Sequence, residues 1–566
     1  MPRFDARTTA AALLVAAGLC LSVPLLAIPA CQSEVAAERT PAATTTPTLY
    51  DGFGGYHRQV STESAEAQQW FDQGLQLLYG FNHDEAIRSF QHAAEIDPDL
   101  AMAHWGEAYA HGLHINNPVM GQAQSEQAYA AAQDALAKID HASPVEAALI
   151  RAVVHRYEMP VPEDRAHLDE AYAAAMEQVW AQYPNDADVG ALFAESLMNL
   201  QPWDLWEKDG TPKGRTLEIV ATLERVLEIN EQHPGANHFY IHTVEASNEP
   251  QRAVAAADRL QTLVPGSGHL VHMPAHIYAR VGRWQDASDA NVRAIAADRA
   301  YFEKAPEPDF YALYFIHNIH FLSWSAMMEG RYETAIDAAR ELERDIPQGF
   351  LKEWTFIADG FMPVVYHAML RFGKWEDILA EEEPEDYRRL SLSLWHYARG
   401  IALANTDRVS QAREELAAFE AVAATVPEDW VVGNSAAADV LDVARHMLKG
   451  EIAYKSGNPE EAFVLLRKGV ELEDTLSYDE PPDWMQPVRH ALGALLLAEG
   501  RHDEAKAVYL EDLTKYPENG WALLGLSKAM EAAGEDTTAV DARRARVWTR
   551  NDVRPVASCY CHPDAG

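Results

Sequence analysis

The chain reads as an all-α protein, a solenoid of stacked antiparallel helix pairs. Three observations predict it. From residue 60 onward, apolar residues recur at helical spacing with short breaks between helices. A glycine is followed five residues later by an alanine again and again: Gly282 and Ala287, Gly330 and Ala335, Gly457 and Ala462, Gly500 and Ala505, Gly534 and Ala539. No stretch shows the pattern of a hairpin or of a strand–helix–strand unit. The length leaves room for roughly eight to eleven helix pairs.

The elements follow in order. Arg3 and Arg7 precede an uncharged run from Thr8 to Ala30, the layout of a secretory signal over residues 1–30. The run ends Leu26-Ala27-Ile28-Pro29-Ala30-Cys31, which looks like a bacterial lipobox with Cys31 as the lipidated residue. Simple cleavage and a retained anchor are the alternatives, and Pro24 and Pro29 argue against an anchor. The expected location is therefore the periplasm or cell envelope, with a lipid anchor in a bacterial membrane. Residues 31–59 read as a flexible tether and N-terminal cap, with a turn at Gly52-Phe53-Gly54-Gly55-Tyr56-His57.

Residues 60–117 hold the first repeat pair. Gly74, Ala86, Phe90, Ala93 and Pro98 supply small, small, aromatic, small and proline positions. Small residues let two helices cross closely and the aromatic fills the gap, while the proline opens the next unit. Residues 118–230 are irregular helical repeats, with a helix start at Ser143-Pro144 and Glu146. They include a tryptophan-rich loop, Pro202 to Leu205 with Trp206 and Asp209-Gly210, expected to pack on the solenoid. Residues 231–345 are histidine-lined repeats, and 346–550 the C-terminal repeats, with a weaker copy at Gly373 and Trp375. The tail, 551–566, carries Cys559-Tyr560-Cys561-His562, which reads as a copper or zinc site, a disulfide or a frayed end.

This pattern resembles the 34-residue tetratricopeptide (TPR) repeat over roughly residues 60–550. The segments PWDLWEKDG, HPGANHFYIHTVEAS and GHLVHMPAHIYARVGRWQDASDAN look like those of a group of bacterial, often exported TPR-repeat proteins, as does FNHDEAIRSFQHAAEIDPDLAMAHWG. The resemblance implies a fold, helix pairs wound into a right-handed superhelix, and a binding scaffold rather than a reaction. In TPR proteins the first helix of each pair lines a concave groove, usually for a protein segment, so it implies a protein or peptide partner. The Lys, Arg and Asn that clamp acidic peptide ends in such grooves are replaced here by histidines and Trp324.

The 23 histidines are the oddity of the composition, and many fall into register. With each helix-ending glycine set as position 15, His269, His272 and His276 take positions 2, 5 and 9. His317 and His320 take 2 and 5, with Trp324 at 9; His238 and His242 take 5 and 9, with Glu245 at 12. At 100° per residue these positions share one face. Adjacent helices lie about 8–10 Å apart, so the rings of neighbouring helices can meet.

Three readings of this face stand side by side: hydrogen-bonded groove or core residues, a peptide groove, and a metal or catalytic site. The leading functional expectation is an exported scaffold that binds a protein or small ligand in a groove of His238, His242, Glu245, His269, His272, His276, His317, His320 and Trp324. The alternative is a metal-binding or metal-dependent enzyme using His238, His242, His272, His276, His317 and His320, with zinc, copper or another transition metal. Several chemistries find no motif. His238 is followed by Phe239, so there is no HExxH, and neither a GxSxG elbow nor a P-loop occurs. His104, His111 and His114 near Trp105 read as a loop that can join a groove site; His396 and His490 read as core or groove. With 46 basic and 86 acidic residues the formal charge is 46 − 86 = −40, which repels phosphate backbones and excludes a general nucleic-acid binder. Four cysteines exclude a disulfide-dense scaffold.

Overall fold

The computed structural model describes residues 47–305 and 310–563. The signal segment, Cys31 and most of the tether lie outside the described residues. The fold is an all-α solenoid of helix pairs of the tetratricopeptide kind. The described strands form one short hairpin, Val431–Val432 with Ser435–Ala436. No described helix is long and apolar enough to cross a membrane.

The repeat grammar has a direct physical origin. Gly282, Gly330, Gly373, Gly457, Gly500 and Gly534 all adopt φ between 64° and 81°, the left-handed geometry that ends a helix and disfavours a side chain. In the first pair, helices Ala65–Tyr79 and His83–Ile96, the Phe90 ring lies against both Gly74 and Gly106, where a Cβ would come within 2.6–2.9 Å of it. Ser64 and Asn82 cap these helices, accepting from Ala67 N–H and Glu85 N–H. The helix start at Ser143 is a capping box: its N–H donates to Glu146 Oε2 at 2.6 Å, and Pro144 occupies the first turn.

Segments distant in sequence also pack together. The stretch around Gly52 straps onto later repeats: Gly266 N–H donates to Gly52 O at 2.8 Å, and Arg58 bridges Asp186 and Asp188 at 2.8 and 2.7 Å. Asp188 also accepts from Tyr56 and Tyr79 at 2.7 and 2.6 Å. Burial works against the Asp188 carboxylate, but Arg58 and these donors hold it well below the usual range. Farther along, Trp521 Nε1 donates to Met327 O at 2.8 Å. The tail is docked rather than frayed. Ser558 is fully buried and donates to His490 O at 2.8 Å, and Cys559 and Cys561 are paired as a disulfide, which leaves neither sulfur as a thiolate ligand.

Candidate metal centre

Three helical segments bring the register histidines together. Helix Pro234–Val244 starts on its proline, with His233 as the capping side chain, and carries His238 and His242; Glu245 follows at its end. The next segment is broken into Gly268–His272 and Pro274–Arg280. Pro274 lacks an N–H and its ring crowds the carbonyl one turn back, so the helix cannot run straight through. Helix Ala312–Met328 carries His317 and His320.

Six imidazoles fall into two sets of three, His238–His242–His269 and His272–His276–His317, whose nitrogens lie within 4.8 Å of one another in each set. The sets are adjacent: the His242 and His276 rings are 6.0 Å apart, and those of His269 and His272 6.2 Å. Glu245 sits between them. His242 Nδ1 hydrogen-bonds to its Oε1 at 2.9 Å, and His276 Nδ1 lies 3.2 Å from its Oε2. A second carboxylate comes from far along the chain, Glu480, whose Oε2 is 3.1 Å from His276 Nδ1.

The hydrogen bonds orient the rings. Nδ1 of His238 is 2.7 Å from Tyr79 O, and Nδ1 of His272 is 2.7 Å from Asn291 Oδ1. Asn291 spends its own amide on Ala287 O, so its oxygen faces the ring. With His242 and His276 tied to carboxylates, four rings have an acceptor at Nδ1. Each of these rings thereby carries a proton on Nδ1 and turns Nε2 inward. Inward, His238 Nε2 faces His269 Nε2 at 3.1 Å, and His272 Nε2 faces His276 Nε2 at 2.8 Å. Nε2 of His242 and Nδ1 of His269 are buried without a partner.

Burial sets the electrostatics. It pushes His238, His269, His272 and His317 well below the usual imidazole range, with the neighbouring rings adding to the effect, so all four are neutral near pH 7. Burial also opposes the charged form of His276, but Glu245 and Glu480 outweigh it and raise the ring to about 10. Burial likewise works against the Glu245 carboxylate, yet His242 and His276 hold it below the ordinary carboxylate range. Glu480 is pushed up to about 7 by burial against the pull of His276.

Most of these residues are covered, and only His317 and His320 keep part of their surface exposed. Phe81 covers the first set, its ring 4.6, 5.7 and 6.2 Å from those of His238, His269 and His242. It does so from the left-handed region, at φ 56°, a costly conformation for a residue with a side chain. His114 stacks behind it at 4.2 Å. The tryptophan loop closes another side, with Trp203 5.3 Å from His242 and Trp206 Nε1 donating to Thr243 O at 2.7 Å. Two sequence-predicted site residues stand apart from the sets. Trp324 is a core residue against Trp284 and Phe321, and His320 packs on Phe361 at 5.2 Å.

The expected metal set named His320, which lies outside both groups of three, and left out His269, which belongs to the first; sequence reasoning also missed Phe81, Asn291 and Glu480. Only Glu480 left a trace, in the acidic, proline-rich insertion that stretches the Gly457-to-Gly500 spacing to 43 residues.

No protein-family model matches the chain, and no curated protein matches it. Among solved structures it is similar to the human IFIT1 dimer with m7Gppp-AAAA, at 11% identity and TM-score 0.31, covering 86% of this chain and 91% of that one. Yeast Tom70 gives 11% and 0.28 over 87% and 91%, and the APC/C hetero-tetramer Cut9-Hcn1 gives 13% and 0.29 over 87% and 77%. Likeness at this level carries no argument about ligand or reaction.

Proposed function

We propose that the protein binds transition-metal ions, one in each three-histidine set, inside a helical-repeat scaffold. One observation carries the reading: four imidazoles are pinned through Nδ1 so that their Nε2 atoms converge. The facing Nε2 atoms, 2.8 Å apart in His272 and His276 and 3.1 Å apart in His238 and His269, share one proton in each pair, which a bound ion would displace. Two nitrogens bound to one ion at about 2.0–2.1 Å lie roughly 3 Å apart, so the spacing suits a shared ion. The donors are all imidazole with no thiolate, which favours zinc, copper, nickel or iron over magnesium or calcium. His238, His242 and His269 would hold one ion and His272, His276 and His317 the other, with Glu245 and Glu480 orienting the rings. A bound ion would supply Lewis acidity, and copper would add redox chemistry.

Elemental analysis after loading with zinc or copper and dialysis tests this, with about two ions per chain expected. The paired variants His238→Ala/His242→Ala and His272→Ala/His276→Ala should each lose about one. A folded wild-type chain that retains no metal overturns the proposal. We also read the segment from Arg3 to Cys31 as an export signal with a lipid anchor, which would put the centre in the cell envelope. Mass analysis of the mature N-terminus checks it: a chain that still begins at Met1 in soluble cytoplasmic fractions counts against it.

A further inference from the structure

Resting on that metal reading, we propose that the two ions differ in access. The ion held by His238, His242 and His269 is sealed, while the one held by His272, His276 and His317 takes a small neutral ligand from the pocket beside His317.

The covers of the two sets differ. All three residues of the first set are buried, beneath Phe81, Trp203 and Tyr314, whose ring lies 4.3 Å from that of His269. In the second set His272 and His276 are buried, but His317 keeps part of its surface exposed. That surface lines a pocket of about 530 Å³ of empty space, counting its open mouth. Its other walls include Phe361, His320, His367, Asp479 and Asp483.

The pocket is built to meet a polar ligand. His367 is 5% exposed, yet its Nδ1 has no hydrogen-bond partner, and neither does His320 Nδ1, while the Asp483 carboxyl pairs with Asp479. Buried polar atoms left in that state are costly, a cost that a ligand bearing N–H or O–H groups relieves. Asp479, hydrogen-bonded to a protonated Asp483, disfavours anions, and Phe361 supplies an apolar wall. The fitting class is a small neutral molecule with a lone-pair donor for the ion and an adjacent hydrogen-bond donor for the carboxylate or imidazole. Pyrazole has both in one ring.

The test uses the full chain loaded with Co2+, whose visible spectrum reports its ligands. Pyrazole should perturb about half of the cobalt absorption, and azide should perturb it less. Phe361→Trp, which fills the pocket, should lose the pyrazole response by more than tenfold in affinity while keeping two cobalt ions. His238→Ala/His242→Ala, which leaves only the second set intact, should keep the response. Two bound cobalt ions with no response, a response unchanged in Phe361→Trp, or one lost with the first set would each overturn the inference. Failure to bind cobalt at all would instead overturn the metal reading beneath it.

Discussion

At the scale of single residues, the centre depends on side chains that hold the ligands rather than on the ligands alone. Glu245 is the sharpest case, because its two oxygens serve one ring from each set. Glu245→Gln keeps the shape but offers a single acceptor oxygen. Outer partners of this kind are worth about 10- to 100-fold in metal affinity, so competition against a chelator should show a drop of that size at both sites. A loss confined to one site would show that the carboxylate does not couple them. The position of Glu245 was legible from the repeat register, as were those of all six ring-bearing residues. The acceptors Tyr79 O and Asn291 were not, because neither a backbone carbonyl nor an ordinary second-helix amide has a distinctive signature in sequence.

Among elements, the glycine that closes each first helix is the feature most readily read from sequence, and its geometry makes a quantitative claim. Gly330 has φ 71°, so Gly330→Ala should cost about 1–2 kcal/mol in denaturant midpoint. Gly349 lies within helix Gln348–Glu353 with nothing near its would-be Cβ. Gly349→Ala should therefore stabilise by about 0.4–1 kcal/mol, through a less flexible unfolded chain. Equal effects from the two would show that backbone conformation does not set the repeat boundary. The expected groove was less legible than the helices that frame it. Periodicity places histidines on a face, but it says nothing of what a distant loop lays over that face. Phe81 and Glu480 arrive there from turns and insertions, where local pattern is weakest.

For the whole molecule, two kinds of buried charge set stability. Arg58 ties the N-terminal strap to Asp186 and Asp188, and Arg58→Ala leaves Asp188 buried without its cation, a loss of about 3–5 kcal/mol in chemical unfolding. Other buried carboxylates act in the opposite sense. Burial raises Asp298 and Glu451 to about 7 and Glu473 to about 8. Their unfolded values lie near 4, so the folded state holds extra protons between about pH 4 and 8. Through these groups stability should fall as pH rises from 7 to 8.5, each tenfold change in proton affinity being worth about 1.4 kcal/mol per group. The depressed Asp188 and Glu245 oppose this below about pH 4, and the buried neutral His238, His269, His272 and His317 oppose it below about pH 6.5, where only the unfolded chain gains their protons. Urea midpoints of the metal-free chain at pH 7 and 8.5, above the range in which the histidines titrate on unfolding, decide the matter; a flat profile, or a rise, removes these three groups as the cause.

The cover over the histidines also orders events in time. A repeat array folds from neighbour to neighbour, so early repeats can form while later ones are still being made. Here the first set is capped from the beginning of the chain by Phe81, whereas the second acquires Glu480 only some 200 residues after His276. A nascent chain that has just passed residue 324 would present six imidazoles with one side unfinished. Insertion of the correct ion is then a task for the completed polypeptide, and a truncation before Tyr478 should yield folded early repeats whose second site loses its metal faster than its first.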